Sequence, residues 1–592
     1  MGIPIISPII SQPLTVIDEL FAENGASSPQ VEGDWGVQAH FERCLQDIGA
    51  QQIPSLNTEN LDAIPPNSLI RFRGMIQDMY NPEYYVGAYQ ADSECGVHWR
   101  TSKFRDSVDD VQTSNSTIWQ RKLYLCVPIP GETAWTHSEE PATVPNGAPT
   151  SSNKRSREDS IGIANEASED ADTKRQVCGE ERMEACEHLQ AARSHKPAFP
   201  HAGELGNACI LKFYGAEGEE FKLNDVVEVV GVLSKTPGLA SFESGDDFMC
   251  DDDAQPPCSE VVRVHVLLAT MSPSFVRLAA PDVPQAVLQE GLQAHAGALR
   301  QSLLSSLTAA LGGDALAGEY MLLHVLSRVH TRADAVALGK MSLNLSGCPP
   351  PAASPAPGNS STAAFSPVTE ALEQVLRSVL PRTSKMPFTV NYMNTEQLVP
   401  TKDYEANRLT IGRLQLAEGT HLVVDETALQ TGKLEEAGVR NMQSLQQVMT
   451  SQQLGYDFKY YEVSMNTDIP VAVLSTGKSV LADAADILLP LRAVAAPGFL
   501  PLEDALLAQV RTYVAVARDL PHNMSADMAK VVEDDLVAQR TAGANRTQED
   551  FHRWLNLARS LCISFGETEL TAHRWQHMKG MESTREERLR VC

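Results

Sequence analysis

Four leucines, Leu299, Leu303, Leu307 and Leu311, fall four residues apart and stop at Gly312-Gly313. That spacing makes one face of a helix, and paired glycines are a strong helix stop. The stretch that follows, Gly312 to Tyr320 (GGDALAGEY), leads into the apolar run Met321–Val325, a second helix apolar on most faces and hence buried. It stands where a nucleotide-binding loop would stand. Such a loop ends in Lys and then Ser or Thr: the Lys reaches the β- and γ-phosphates and the hydroxyl ligates Mg²⁺. Here those places hold Glu319 and Tyr320. A carboxylate repels a polyphosphate, and a phenol does not replace a small metal-ligating hydroxyl. The plan is that of an ATPase without the residues for hydrolysis, so the useful question is what the chain binds.

With 592 residues, 43% of them hydrophobic, the chain has material for roughly three to four domains with sizeable cores. Lys and Arg number 48 against 76 Asp and Glu, a formal charge of -28. That surplus disfavours non-specific attachment to DNA, where affinity comes from phosphate neutralisation, and attachment to anionic membranes. A basic partner surface or a partner protein fits it better. The eleven Cys are scattered with no CxxC pair, which indicates reduced thiols of the cytosol or nucleus and no zinc ribbon. No apolar run approaches the roughly 18 residues of a spanning helix, and the N-terminal MGIPIISPIISQPL lacks the basic region of a signal peptide.

Along the chain, Leu14, Ile17, Leu20 and Phe21 form one helical stripe and Phe41, Cys44, Leu45 and Ile48 another. From Asn67 the period changes to two. Ile70, Phe72 and Ile76 share a face around Gly74, Asn81-Pro82 signals a turn, and Tyr84–Tyr89 reads as a return strand. Lys122–Val127, Asp225–Leu233 and Val261–Leu267 are further strands. Short strands with a central Gly suit a small barrel such as an OB-fold, although the pattern serves a sandwich equally. Between them, residues 136–205 are rich in Ser, Glu, Asp, Ala and Pro and should be mostly disordered. Inside that insertion Lys154, Arg155 and Arg157, with Lys174 and Arg175, form a candidate bipartite nuclear import signal.

Two further stretches belong to the ATPase plan. His421–Glu426 (HLVVDE) is an apolar strand ending in Asp425 and Glu426, where such enzymes present Asp to Mg²⁺ and Glu to the attacking water. Val471–Ser479 (VAVLSTGKS) is a strand running into a polar turn, the place of a sensor residue. Gly477-Lys478-Ser479 is not a phosphate loop, because Ala472 stands where its leading Gly belongs. Helices expected over Asp504–Ala517, Ala526–Arg540, Gln548–Ile563 and Thr571–Glu582 close the chain, the third opened by a capping box from Thr547 to Asp550. Arg71 and Arg73 alternate with apolar residues on a strand and read as an ordinary solvent face. His201, His265 and His324 have no Cys or carboxylate at ligand spacing, and no metal or catalytic constellation is expected.

The order of these pieces resembles an MCM helicase, a AAA+ ATPase, with Gly313, Asp314 and Gly318 keeping the loop frame. No Arg matches the arginine finger in Ala484–Leu491, and Glu549 stands at the sensor-Arg place of the lid. The chain resembles more closely the MCM-binding protein family. The likeness is carried by Asn67–Tyr85, Cys126–Glu132 with Trp135, Leu311–Tyr320, Gly339–Gly347, Asp403–Leu409, His421–Thr427, Val532–Val537 and Thr547–Met578.

The resemblance implies a multidomain α/β protein. Its N-terminal helical region is expected over 1–60, and an OB-like β-barrel over 61–135 and 206–270, split by the insertion at 136–205 and carrying an acidic loop at 241–258. A degenerate AAA+-like domain would begin with helices over 271–348, pass a Pro/Ala-rich linker at 349–365, form its α/β core over 366–500, and end in a helical lid over 501–592. The family likeness implies a nuclear, non-catalytic protein with no cofactor. It would bind MCM complex subunits, reach chromatin through them, promote their unloading from chromatin in late S phase and support sister-chromatid cohesion. Three rivals stay open: a chaperone of unassembled MCM subunits, a divergent ATPase recruiting Lys340 or Lys478, and an OB protein that binds single-stranded DNA directly.

Overall fold

A computed structural model describes residues 8–25, 31–49, 52–58, 60–93, 96–106, 115–136, 207–215, 221–235, 261–271, 275–280, 283, 285–333, 336–351, 364–541 and 547–591. One compact unit spans Met1–His137 and Pro200–Cys592. Residues 138–199, with Lys154, Arg155, Arg157, Lys174 and Arg175, lie outside the described residues, as do His201 and the acidic loop at 241–258.

Three helices, α1 (Pro8–Ser11), α2 (Pro13–Asn24) and α3 (Val37–Ile48), precede six strands: β1 (Leu69–Ser93), β2 (Gly96–Thr101), β3 (Ser116–Val127), β4 (Cys209–Tyr214), β5 (Val226–Ser234) and β6 (Val262–Met271). The sheet order is β2-β1-β3-β4-β6-β5, and β5 pairs again with β1, so five strands close into a ring. All these pairings are antiparallel except β4 with β6. Closure is possible because β1 is long enough for two neighbours: Leu69–Met75 pairs with β5, and Met75–Tyr89 with β3. Ile70, Phe72 and Ile76 point into the ring beside Cys126, Leu211, Val229 and Val264, as their period of two requires. Gly74 sits where the strands crowd, since a Cβ there would lie 2.7 Å from the Val127 carbonyl oxygen.

Two readings of this region change. Asn81-Pro82 does not turn the chain; β1 runs through it, and the pairing with β3 shifts register between Tyr80 and Glu83. Pro cannot donate to the ladder, so it sits in a bulge, which bends a strand without ending it. β4 (CILKFY) is a strand that shows no period-two pattern in sequence, because it is buried at every position.

Helices α4 (Phe275–Ala279), α5 (Gln285–Ala310) and α6 (Ala315–Leu326) follow, then the hairpin β7 (Thr331–Ala333) and β8 (Val336–Leu338). A parallel sheet is then built from β9 (Leu343–Ser346), β10 (Thr383–Pro387), β13 (His421–Asp425), β16 (Val471–Ser475) and β17 (Ile487–Pro490), in the order β10-β13-β16-β9-β17. Helix α7 (Pro367–Val379) joins β9 to β10. After α8 (Val390–Thr395) comes a second sheet of β11 (Thr401–Asp403), β12 (Arg408–Thr410), β14 (Gln453–Asp457) and β15 (Glu462–Asn466), with α9 (Glu436–Ser451) leading into β14. Four helices end the chain: α10 (Asp504–Asp519), α11 (Ala526–Thr541), α12 (Gln548–Ser564) and α13 (Ala572–Val591).

The central strands β13 and β16 are mostly apolar because both their faces are covered, whereas the edge strand β10 carries Thr383, Ser384 and Lys385. Leu343, Leu345, Val423, Ala472, Leu474, Ile487 and Leu489 pack with α5, α6, α7, α10, α12 and α13. Leu422, Val424, Val471 and Val473 face the other way, onto Leu445, Val448 and Met449 of α9 and Tyr456 of β14. The barrel is tied to this body at two seams. Leu409 donates its N–H to Asp78 Oδ2 at 2.7 Å while Gln77 Nε2 donates to the Leu409 carbonyl at 2.8 Å. Beyond β3, Thr133 and Trp135 donate to the carbonyl of Leu380 at 2.9 and 3.2 Å. No helix among the described residues is long and apolar enough to cross a membrane.

Candidate functional site

In a parallel sheet of this kind, ligands settle outside the carboxyl ends of the strands, where consecutive connections leave in opposite directions. From β9 the chain crosses to β10 at one edge; from β16 it crosses to β17 at the other. The crevice therefore falls beyond Ser346 and Ser475, next to Asp425 at the end of β13. The Cys348 N–H donates to the Ser475 carbonyl at 2.9 Å and ties the ends of β9 and β16 together.

Asp425 is 1% exposed and fully engaged. Its Oδ2 accepts the Ser366 N–H at 2.8 Å and the Thr369 hydroxyl at 2.6 Å. Its Oδ1 accepts the N–H and hydroxyl of Thr427 at 2.9 and 2.5 Å. Ser366 caps α7, its hydroxyl accepting the Val368 N–H at 3.3 Å and donating to the Pro349 carbonyl at 2.7 Å. Glu426, 4% exposed, accepts the Val480 N–H at 2.7 Å, and burial pushes its carboxyl pKa up. The connection from β9 to α7, residues 347–366, contains no Lys or Arg. Its central part, 352–363, lies outside the described residues.

The stretch Gly312–Tyr320 needs correction as a phosphate loop. A phosphate loop joins a strand to a helix; Gly312 and Gly313, at φ 66° and 83°, join α5 to α6. A GGD turn before an apolar helix reads the same in sequence whichever element precedes it. Asp314 caps α6 by accepting the N–H groups of Leu316 and Ala317 at 3.1 and 3.2 Å. It also accepts the Arg492 N–H at 2.8 Å and pairs with Arg588 at 2.6 Å. Gly318 lets α6 lie against α5, since a Cβ would sit 2.3 Å from Thr308 Oγ1. Glu319 pairs with Arg300, and Tyr320 donates to Glu582 at 2.6 Å. These six residues belong to the helical layer, and no hydrogen bond or ion pair among the described residues joins them to Asp425 or Glu426. Lys340 is held by Asp486 at 2.5 Å, Lys478 is exposed, and Glu549 is exposed in the first turn of α12.

In the barrel, Arg73 is not on a solvent face. Its side chain is 11% exposed and lies 3.1 Å from Glu132 and 3.4 Å from Glu228. His265 does have a carboxylate partner, Asp106, at 3.2 Å, and Tyr214 at 2.6 Å. Asp106 also meets Arg121 at 3.1 Å and Lys212 at 2.6 Å, while Glu83 bridges the same two cations. Burial alone would raise the pKa of Asp106, yet His265, Lys212 and Arg121 hold it well below the carboxylate range. The cluster escaped sequence reading because its members come from five separate places in the chain. His324 is buried with Nδ1 3.0 Å from the Met341 carbonyl. No group of three metal-binding side chains occurs among the described residues.

These features define a multidomain α/β protein in which a closed β-barrel is joined to a parallel-sheet domain with a saturated acidic residue at the sheet's switch point. The chain belongs to the mini-chromosome maintenance replisome factor family, whose profile matches residues 41–589. It is 34% identical over 584 residues to the mini-chromosome maintenance complex-binding protein of Arabidopsis thaliana, covering 94% of each chain. The proteins of the same name from Mus musculus and Homo sapiens are 34% and 33% identical, over 98% of this chain and 97% of theirs.

Proposed function

We propose that this chain binds subunits of the MCM complex without hydrolysing nucleotide, and that it does so as a degenerate relative of the subunits themselves. The observation that carries the reading is Asp425. Each of its carboxylate oxygens already accepts two protein hydrogen bonds, which leaves little capacity for a metal ion. Two further facts agree: the strand-to-helix connection beside it has no Lys, and Glu426 is tied to Val480. The all-parallel sheet with its helical lid supports an AAA+-like body. The closed five-strand ring with its single parallel pairing supports an OB-like barrel.

A protein of this shape occupies the lateral interface between MCM subunits without completing a nucleotide site. On that basis it regulates DNA replication by releasing MCM from chromatin in late S phase, supports sister-chromatid cohesion and works in the nucleus. The surplus of acidic residues complements basic faces that otherwise hold DNA. Direct DNA binding is the weaker reading, because Arg73 is committed to Glu132 and Glu228. Chaperoning of unassembled MCM subunits would use the same interface.

The test is a pulldown of the tagged full chain from nuclear extract of proliferating cells, with and without ATP. MCM subunits should be recovered equally in both. Their absence would overturn the reading.

A further inference from the structure

The hairpin of β14 and β15 carries an aromatic tip that the fold does not use. Tyr460 is 84%, Tyr461 59% and Tyr404 44% exposed. The rings are nonetheless held in place. Phe458 and Tyr461 stack at 5.0 Å with 6° between their planes, and Tyr404 lies 5.5 Å from Tyr460. The Tyr404 hydroxyl donates to the Phe458 carbonyl at 2.9 Å, and the Lys459 N–H to Asp457 Oδ1 at 2.7 Å. Pre-ordered, solvent-exposed tyrosines are the usual anchors of protein interfaces.

A second observation concerns the strand behind the tip. β15 ends the order β12-β11-β14-β15 and so has one free edge. Thr467 donates to the Gln452 carbonyl and Phe458 to the Tyr461 carbonyl. With Gln453 opposite Asn466 and Asp457 opposite Glu462, the alternation of an antiparallel pair aims the N–H and C=O of Glu462, Ser464 and Asn466 away from β14. The three side chains at those positions are exposed, and β15 has neither the Lys nor the Pro that commonly guards an edge.

Charge decides the occupant. Glu462 and Asp457 line a cavity beside Tyr460 and Tyr461, together with Arg440 and Lys459; Arg440 already bridges Glu436 at 3.3 Å and Asp457 at 3.6 Å, and Lys459 lies 5.9 Å from the centre of the Tyr404 ring. With Arg440 committed to two carboxylates, the exposed Glu462 is left to meet an incoming cation, and the chain's charge of -28 disfavours a phosphate backbone. This cavity, of about 280 Å³ between α9 and the hairpin, has room for one long side chain.

We propose that the β15 edge receives an extended, basic segment of an MCM subunit as an added strand, with an Arg or Lys of that segment over Tyr460 and Tyr461 and facing Glu462. This rests on the MCM-binding reading above and places its contact on a defined strand.

The experiment measures affinity of the full chain for purified MCM complex by biolayer interferometry. The variants are Tyr460→Ala/Tyr461→Ala, Glu462→Lys and Ser464→Pro, the last at a position whose N–H leaves the edge and not the ladder. Each should weaken binding about tenfold or more with an unchanged thermal melt. Variants that fold and bind within twofold of the parent would overturn the edge while leaving the MCM-binding reading intact. No binding by the parent chain would overturn both. Binding of a fluorescent oligo(dT) that is lost in the double Tyr variant would make the tip a nucleic-acid surface and overturn the proposal.

Discussion

Tyr320 and Glu582 stand 262 positions apart and share a 2.6 Å hydrogen bond inside the helical layer. Glu582 is 1% exposed and accepts in addition from Trp554 Nε1 at 3.1 Å and from Arg585 at 2.8 and 2.9 Å. One carboxylate thus ties α6, α12 and α13 together, and Tyr320 is part of that knot.

Replacing Tyr320 by Phe removes one donor to a charged acceptor and should cost about 1–3 kcal/mol in urea unfolding. Glu582→Leu strands Arg585 in the interior, so it should cost about 3–5 kcal/mol. A Glu582→Leu protein as stable as the parent would show that the knot is not what holds the helices.

Asp314 does two jobs that two substitutions separate. Asp314→Asn keeps an oxygen to cap α6 but loses the ion pair with Arg588; Asp314→Ala loses both. The Ala variant should be less stable than the Asn variant by about 1 kcal/mol, the usual worth of a cap. Equal stability of the two in chemical denaturation would exclude a capping role.

Asp425→Ala should lower stability by about 2–4 kcal/mol, because Ser366, Thr369 and Thr427 lose a common buried acceptor. Isothermal titration with Mg·ATP should give no appreciable heat of binding for either parent or variant. Mg²⁺-dependent ATP binding in the parent that Asp425→Ala abolishes would refute the non-catalytic reading.

Burial holds the His324 pKa down to about 4 from an ordinary 6.5, and burial, with Arg518 and His324 beside it, holds that of His421 well below its ordinary value. The unfolded chain therefore takes up these protons at a higher pH than the folded one. Their stabilising contribution is complete above pH ~6.5 and is lost as pH falls toward ~4, by roughly 3 kcal/mol for His324. Urea midpoints measured from pH 7.5 down to 5 should fall, and less steeply in His324→Phe. A pH-independent midpoint in the parent would contradict this.

Much of the fold was legible where the signal is local. The capping box at Thr547 is a four-residue pattern, and both of its reciprocal bonds form. The alternation of Ile70, Phe72 and Ile76 identifies an inward face whatever the strand pairs with. Reading failed where one local pattern serves two contexts. Asn-Pro breaks a hairpin or makes a bulge, and only the partner strand β3 decides which. A Gly-Gly-Asp turn opens a helix after a strand or after a helix, and only the order of elements decides whether phosphate is near.

By itself the sequence determined the elements whose free energy is local: helix stripes, caps, strand periods and the acidic balance of the surface. It also carried the family likeness, which runs nearly the length of the chain. The tertiary structure alone decided which polar groups meet. Asp425 and Thr369 are 56 residues apart, and His265 and Asp106 are parted by most of the barrel's chain. The tertiary structure also decided which side of β15 faces water, and that Glu319 and Tyr320 meet Arg300 and Glu582 of neighbouring helices. Hydrogen bonds and ion pairs act over a few ångströms in space, so residues distant along the chain enter them only after packing has brought their elements together.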